Sequence, residues 1–167
     1  NTGVGIAALD ALTSGDYNSA LGMTAGSAVT TGTYNTLLGA YAGDAVTTNS
    51  YNTAVGGSAL GATTGASNTA VGYGASWRNA TGTFNTAVGD QALEGVATNN
   101  HSYNTAIGGK SNEVVTTGGY NVTLGYQSGD NLTTGSGNII IGTGDAAAAD
   151  SARTCKIVSY DGSSTTN

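Results

Sequence analysis

Hydrophobic and polar positions recur along this chain with a period of about 17 residues. An Asn is followed three positions later by Val, Leu or Ile and four positions later by Gly, most often in the form NTAVG. The repeat Asn residues are Asn1, Asn18, Asn35, Asn52, Asn68, Asn85, Asn104, Asn121 and Asn138. Their spacing is 17 residues except for 16 after Asn52 and 19 after Asn85. A fixed short period predicts a solenoid whose units pack on their neighbours.

Two further columns follow when positions are counted from the repeat Asn. Position +4 is always Gly: Gly5, Gly22, Gly39, Gly56, Gly72, Gly89, Gly108, Gly125 and Gly142. Since Gly adopts positive φ without steric cost, we expect this column to form the corners of the coil. Position +3 is always aliphatic, for example Val55, Val71, Val88 and Ile107. We predict that this aliphatic column fills the interior of the coil.

Alternation within the phrase predicts strands rather than helices. In YNTAVG, the Tyr, Thr and Val side chains share one face and the Asn and Ala side chains take the other. β-Branched residues favour pleated structure, and the absence of Pro leaves every backbone N–H available for pairing. Each unit is predicted to contain a strand, a Gly corner, a second strand and a Thr/Gly-rich corner. The fold class predicted is all-β, a β-solenoid of about nine 17-residue coils over residues 1–142.

The last part of the chain, residues 143–167, lacks the repeated phrase and is predicted to be a C-terminal cap or connector. An Ala-rich stretch over 143–152 fits a short helix or a crossover. TCKIVSY at 154–160 predicts a final strand that covers the last coil. Cys155 is interpreted as a small buried residue of that cap.

The predicted core is thin for a chain that stands alone. Burial of a large side chain contributes about 1.5–3 kcal/mol, against ~1–2 kcal/mol of backbone entropy for each residue ordered. Each unit offers about four core side chains, including the aromatic that precedes the next Asn. We therefore predict a homo-oligomer. The small residue at position +2 is expected to let neighbouring chains approach closely, at Ala20, Ala54, Ala70, Ala87 and Ala106.

Composition and charge narrow the classes of partner. The chain has four Lys and Arg residues in total and a formal net charge of −6, so it lacks the basic patch that binds nucleic acid. No apolar run approaches the ~20 residues of a membrane helix, and we expect no membrane insertion. No phosphate-binding loop occurs, and no cofactor is predicted. The first residues already fall within a repeat, so we expect a segment of a longer chain.

Half of the acidic residues occupy one repeat position, +9: Asp10, Asp44, Glu94, Glu113 and Asp130. Stacked coils would bring them to one edge. Converging carboxylates suit a hard cation such as Ca²⁺, whereas separate ones form a solvated edge that keeps a fibre soluble. The sequence leaves both interpretations open, and no metal is assigned.

The best candidates for surface binding lie where the repeat is broken. Trp77 and Arg78 replace small or acidic residues, and an exposed Trp beside Arg suits stacking on a sugar ring or packing at a subunit seam. His101 lies in the 19-residue unit, which predicts an exposed residue on a protruding loop. A single His without a nucleophile beside it does not indicate catalysis.

Two other classes of function follow from single features. Thr pairs in the corners, such as Thr30–Thr31 and Thr116–Thr117, allow an ice-binding solenoid. A polysaccharide depolymerase would need two carboxyl groups with different roles. The five acidic residues at position +9, which we call the acidic column, all occupy the same repeat position, and nothing in the sequence gives one of them a different role. We expect a non-enzymatic protein.

The run NTAVGxxAL…TTGxYNTAVG resembles the repeats of YadA-like heads of trimeric autotransporter adhesins. It is still more similar to the repeat arrays of bacteriophage tail fibres that carry a self-cleaving endosialidase-type chaperone. The resemblance covers about residues 1–142 and implies a homotrimer of left-handed parallel β-rolls in a rod-like appendage. It implies a tail-fibre segment on the virion surface that contributes to attachment through a host-surface glycan or protein. A bacterial surface adhesin head, outside the cell, is the alternative.

Overall fold

The chain folds as a solenoid of parallel strands. A computed structural model describes residues 1–96, 100–146 and 148–158. The strands, three residues each, are β1 (Thr2–Val4), β2 (Ser19–Leu21), β3 (Thr36–Leu38), β4 (Thr53–Val55), β5 (Thr69–Val71), β6 (Thr86–Val88), β7 (Thr105–Ile107), β8 (Val122–Leu124), β9 (Ile139–Ile141) and β10 (Cys155–Ile157). They form one sheet in chain order. The predicted all-β solenoid is confirmed, and the described residues contain no helix.

The strands stack with equivalent repeat positions in register. Between β4 and β5, Ala54 lies opposite Ala70 and Val55 lies opposite Val71. The register also survives the 19-residue unit, where Val88 lies opposite Ile107. Units of 16 or 19 residues therefore differ from the others outside the sheet. Residues at the same repeat position lie one above another along the solenoid.

Asn and position +2, rather than position +3, face the interior. Ala54 and Ala70 are fully buried, whereas Val71 is 36% and Ile107 40% exposed. The prediction that the aliphatic column fills the coil is therefore wrong, although the predicted alternation of faces holds. The prediction that Ala at position +2 faces neighbouring chains is also wrong, because these side chains lie inside their own solenoid.

Each repeat Asn connects its coil to the next one. Oδ1 of Asn104 accepts the backbone N–H of Asn121 at 3.0 Å, and Nδ2 of Asn104 donates to the carbonyl of Gly118 at 2.9 Å. The Oδ1 contact recurs at every step from Asn1 to Asn138. Nδ2 of Asn52, which begins the 16-residue unit, is buried without a partner in the described part of the chain. We call this column the Asn ladder.

The predicted second strand of each coil is wrong. The segment after the Gly corner consists of turns in which alternate residues adopt left-handed backbone, such as Ser58 (φ 55°) and Leu60 (φ 53°). This alternation interrupts the pleat that a strand requires. The segment still bonds to the next coil, since Leu60 N–H donates to the carbonyl of Ala75 at 3.0 Å.

Interior volume is shared between positions +2 and +8 of a coil. Leu37 at +2 faces Gly43 at +8, where an added Cβ would lie 2.6 Å from Cδ2 of Leu37. The next coil reverses the sizes, with Ala54 at +2 and Leu60 at +8, both fully buried. Because interiors are closely packed, one large side chain of the pair excludes the other.

The Gly column forms tight corners, as predicted. Gly56 has φ +134°, and a Cβ added there would lie 2.5 Å from the carbonyl oxygen of Gly72 in the next coil. Any larger residue at this corner would collide with the backbone of the next coil.

The chain beyond residue 142 continues the stack. The predicted final strand is confirmed as β10, which pairs with β9. No helix forms at 143–146 or 148–152; instead, the carbonyl of Ala149 accepts the N–H of Thr133 at 3.0 Å. Cys155 is exposed, so its interpretation as a buried residue is wrong. Residue 147 and residues 159–167 lie outside the described structure.

Candidate functional site

One side of the solenoid is an uncharged sheet surface. We define the outer sheet face as the first and third residues of β1 to β10, which are Thr, Ser, Cys, Val, Leu or Ile throughout. Large members are well exposed, for example Leu21 at 54% and Leu124 at 43%. The interior covers the opposite side of this sheet, so only the outer sheet face is bare.

The six aromatics that directly precede a repeat Asn form two exposed stacks, which together we call the aromatic ladder. Tyr17, Tyr34 and Tyr51 form the first stack, and Phe84, Tyr103 and Tyr120 form the second. Successive ring centroids are 4.7 to 5.4 Å apart, and the planes are within 15° of parallel. The expectation that these rings belong to the core is wrong, because the left-handed backbone at each directs its ring to the surface.

Trp77 and Arg78 form a compact surface cluster with Glu94. The Arg78 guanidinium carbon lies 4.4 Å from the Trp77 ring centroid, and its Nη1 contacts Oε1 of Glu94 at 2.5 Å. A Cβ added to Gly61 would lie 2.9 Å from Cδ1 of Trp77, so the indole packs on bare backbone. Trp77 remains 36% exposed, and sugar stacking there stays a prediction.

The acidic column divides into separate ion pairs and single residues. Glu94 is buried against Arg78, and Glu113 receives a hydrogen bond from Nζ of Lys110 at 3.2 Å. Asp10 is exposed and Asp44 half-buried, where burial raises the pKa of Asp44. Within residues 1–96, 100–146 and 148–158, no three His, Cys, Asp or Glu side chains come close enough to share a metal ion.

Asp130, the last member of the column, lies beside Asp145. A hydrogen bond between the two side chains, assisted by burial, raises the pKa of Asp130 to about 6. The pair borders an open depression of about 500 Å³ that Tyr126, Gln127 and Thr143 also line. Carboxyl groups within hydrogen-bond distance lack the separation of ~5 Å or more that glycoside hydrolysis requires.

His101 is completely buried, so the prediction of an exposed residue on a protruding loop is wrong. Its carbonyl accepts Nδ2 of Asn85 at 2.9 Å, the role that Gly118 has in the next coil. The extra residues of the unit precede His101, and residues 97–99 lie outside the described part of the chain. Neither ring nitrogen has a partner among the residues that the structure describes, and burial lowers the pKa of His101 to about 4.

The first Thr of a corner pair bonds to the backbone of the neighbouring coil, whereas the second, such as Thr31 or Thr117, is exposed. Thr30 Oγ1 donates to the carbonyl of Thr47 at 3.4 Å, and Thr116 Oγ1 donates to the carbonyl of Thr133 at 2.9 Å. A hydroxyl held in this way is not part of a free array facing solvent. The Thr-rich corners therefore stabilise the stack.

These features define a parallel β-solenoid repeat protein with a bare sheet face and an exposed aromatic ladder. Comparison with protein-family models, with curated proteins and with solved structures gives no match. No helix among the described residues is long and apolar enough to span a bilayer.

Proposed function

We propose that the chain is a non-enzymatic structural and adhesive fibre module that assembles as a homotrimer. The observation that carries the proposal is the outer sheet face. All-parallel sheets are almost always covered on both faces, whereas this one is covered on its inner face only. An uncharged surface with an exposed aliphatic column of this length is typical of an interface.

A second copy of the chain is the partner that fits this face best. The two outward columns repeat from β1 to β10 at the strand spacing of about 4.8 Å, so they extend over roughly 40 Å. A copy that lies alongside presents the same columns at the same spacing. The match therefore extends along the whole rod, as symmetric assembly requires.

Within this class, we place the chain in a bacteriophage tail fibre, on the virion surface, where it contributes to attachment to the host. The resemblance of the NTAVG repeats supports this proposal, and a bacterial surface adhesin head is the alternative within the class. Trp77 and Arg78 do not belong to the strands that form the outer sheet face, which supports keeping them as the candidate contact for a host glycan.

Binding and turnover measurements on intact bacteria test this function. Fluorescently labelled chain is added to a panel of bacteria, and bound fluorescence is measured by flow cytometry beside release of reducing sugar. We expect saturable binding to some strains, without release. Trp77→Ala should weaken binding by about fivefold or more, whereas Tyr41→Ala, another exposed aromatic, should not. Sugar release from surface polysaccharide would overturn the non-enzymatic assignment.

One observation favours ice binding as a second candidate. Thr36, Thr53, Thr69, Thr86 and Thr105 form an in-register column on the outer sheet face. Regular hydroxyl spacing on a flat sheet suits an ice lattice if that face is free in solution. Thermal hysteresis at millimolar protein would support this candidate, and its absence would eliminate it.

A further inference from the structure

At one position, the aromatic ladder lacks a ring but has an aromatic ring on either side. Tyr51 ends the first stack and Phe84 begins the second, and Ser67 occupies the ladder position between them. Ser67 has the same left-handed backbone as its neighbours, with φ 59° against 63° for Tyr51 and 57° for Phe84. The ladder backbone is thus continuous at Ser67, and a single ring is missing.

The missing ring leaves a slot of defined width. One step of the ladder separates centroids by 4.7 to 5.4 Å, so the two steps from Tyr51 to Phe84 separate theirs by about 10 Å. The rings that border the slot are more exposed than those inside each stack: Tyr51 is 63% exposed against 51% for Tyr34, and Phe84 57% against 47% for Tyr103.

A second interruption, at Gly137, is not equivalent. The next ladder position there is Arg153, with φ 56°, rather than an aromatic. Its Cγ lies 3.7 Å from where a Cβ on Gly137 would be, so the Arg153 side chain runs over the gap. Only the interruption at Ser67 has an aromatic ring on both sides.

We propose that the slot between Tyr51 and Phe84 binds one pyranose ring of a glycan. This inference rests on the attachment function proposed above and names its ligand class. A pyranose has two C–H faces, which suit two aromatic faces, and a rim of hydroxyl groups. Ser67 supplies a hydroxyl at the missing ladder position, and Thr83 supplies one at the adjacent position of the next coil. The Ser50 hydroxyl on the other side already bonds to the N–H and the hydroxyl of Thr33. A purely aromatic ligand would not use the hydroxyls of Ser67 and Thr83.

The chain offers a single-site probe of the slot, since Phe84 is its only phenylalanine. Incorporation of 4-fluorophenylalanine gives one ¹⁹F resonance, from a wall of the slot. The full 167-residue chain is titrated with methyl β-D-galactopyranoside and methyl β-D-glucopyranoside into the millimolar range. We expect a saturable shift of this resonance with at least one of the two sugars.

Three variants locate the binding. Ser67→Tyr fills the missing ladder position and should weaken binding at least about tenfold while the melting temperature is kept or raised. Ser67→Ala leaves the slot open and should stay within about threefold of the parent chain. Tyr51→Leu removes one aromatic wall and should weaken binding about tenfold, which supplies the test if Ser67→Tyr does not fold.

Several results would overturn the proposal. The first is that the ¹⁹F resonance does not shift with either sugar. The second is that it shifts equally in Ser67→Tyr and in the parent chain. The third is that it shifts with p-cresol and not with the pyranosides. With the native mass already that of the trimer, a resonance that still moves with protein concentration alone would assign the slot to a further copy and would also overturn the proposal. None of these results changes the native mass of the assembly, so failure of the slot is distinguishable from failure of the fibre proposal.

Discussion

Asn104 holds Asn121 of the next coil through a hydrogen bond of 3.0 Å from the Asn121 backbone N–H to its own Oδ1. The same side chain donates from Nδ2 to the carbonyl of Gly118. Both contacts lie in the interior, where an unsatisfied polar group is costly. Asp lacks the donor and Gln has a longer side chain, so Asn alone suits this position. This pair of contacts explains the recurrence of Asn where both are made, whereas Asn52 makes the Oδ1 contact alone.

Loss of one Asn from the ladder should cost more where both contacts exist. Asn104→Ala should lower the free energy of unfolding by about 3 kcal/mol, since it leaves a buried N–H and a buried carbonyl without partners. Asn52→Ala is the matched control, because Nδ2 of Asn52 already has no partner. We expect Asn52→Ala to lower the free energy of unfolding, measured by urea denaturation, by about 1 kcal/mol less than Asn104→Ala does. Equal losses would contradict the role of the Nδ2 contact.

Substitution by Ala should lower the stability strongly at Gly56 and only slightly at the adjacent Gly57. Gly56→Ala would place Cβ 2.5 Å from a backbone oxygen at a φ of +134°, and we expect a loss of more than ~3 kcal/mol. At Gly57 the nearest atom to an added Cβ is Cδ2 of Tyr73 at 3.4 Å, so Gly57→Ala should stay within about 1 kcal/mol of the parent. Thermal unfolding by circular dichroism measures both. Tolerance of Gly56→Ala would show that the corner is looser than described.

The paired interior positions should tolerate an exchange that neither tolerates singly. Leu37→Ala should cost about 2–4 kcal/mol through a cavity, and Gly43→Leu should cost about 1–3 kcal/mol through overpacking. The double variant gives the coil the residue sizes of its neighbour, with Ala54 and Leu60, and should recover part of both losses, since Leu37 also fills the space beside Gly26 of the preceding coil. A double-mutant cycle should give a favourable coupling of at least ~2 kcal/mol, and additive losses would refute the shared volume.

Burial of His101 should make stability depend on pH. Its folded-state pKa of about 4 lies below the value of about 6.5 in an unfolded chain, so the unfolded state takes up the proton first. The stability is therefore intact above pH ~6.5 and falls by up to about 3 kcal/mol as the pH drops towards 4. Asp130, whose pKa is raised to about 6, acts in the opposite direction, since its stabilising contribution at low pH is lost as the pH rises.

Two measurements isolate the effect of His101. Since it is the only His, its imidazole signals report its pKa directly by NMR. His101→Leu in an Asp130→Asn background should remove most of the fall in stability between pH 7 and pH 4. An NMR pKa near 6.5 would contradict the burial of the ring.

The repeat in the sequence was sufficient to predict the solenoid, its Gly corners and the final strand β10, because one-dimensional stacking turns each column of the sequence into a column in space. It did not reveal which face is the interior. Hydrophobicity placed Val71 inside, whereas the narrow interior admits the small Ala70 and an Asn that bonds across coils. That choice depends on contacts between coils, which the period of a single unit does not encode.

The candidate sites show the same limit. His101 was expected on a protrusion because its unit is long, yet the additional length precedes it and its ring turns inward. In contrast, the gap at Ser67 was visible in the sequence as one Ser in a column of Tyr and Phe. Its meaning depends on the aromatic column being exposed, which the alternation alone did not establish.

The native mass of the chain tests the central proposal, assembly through the outer sheet face, most directly. Light scattering should give three chains of 16.2 kDa, about 49 kDa. Ile107→Asp, in the outer sheet face, should dissociate the trimer, whereas Asp10→Asn on the acidic edge should leave it intact. A parent chain that stays at 16.2 kDa at all concentrations tested would contradict the proposal.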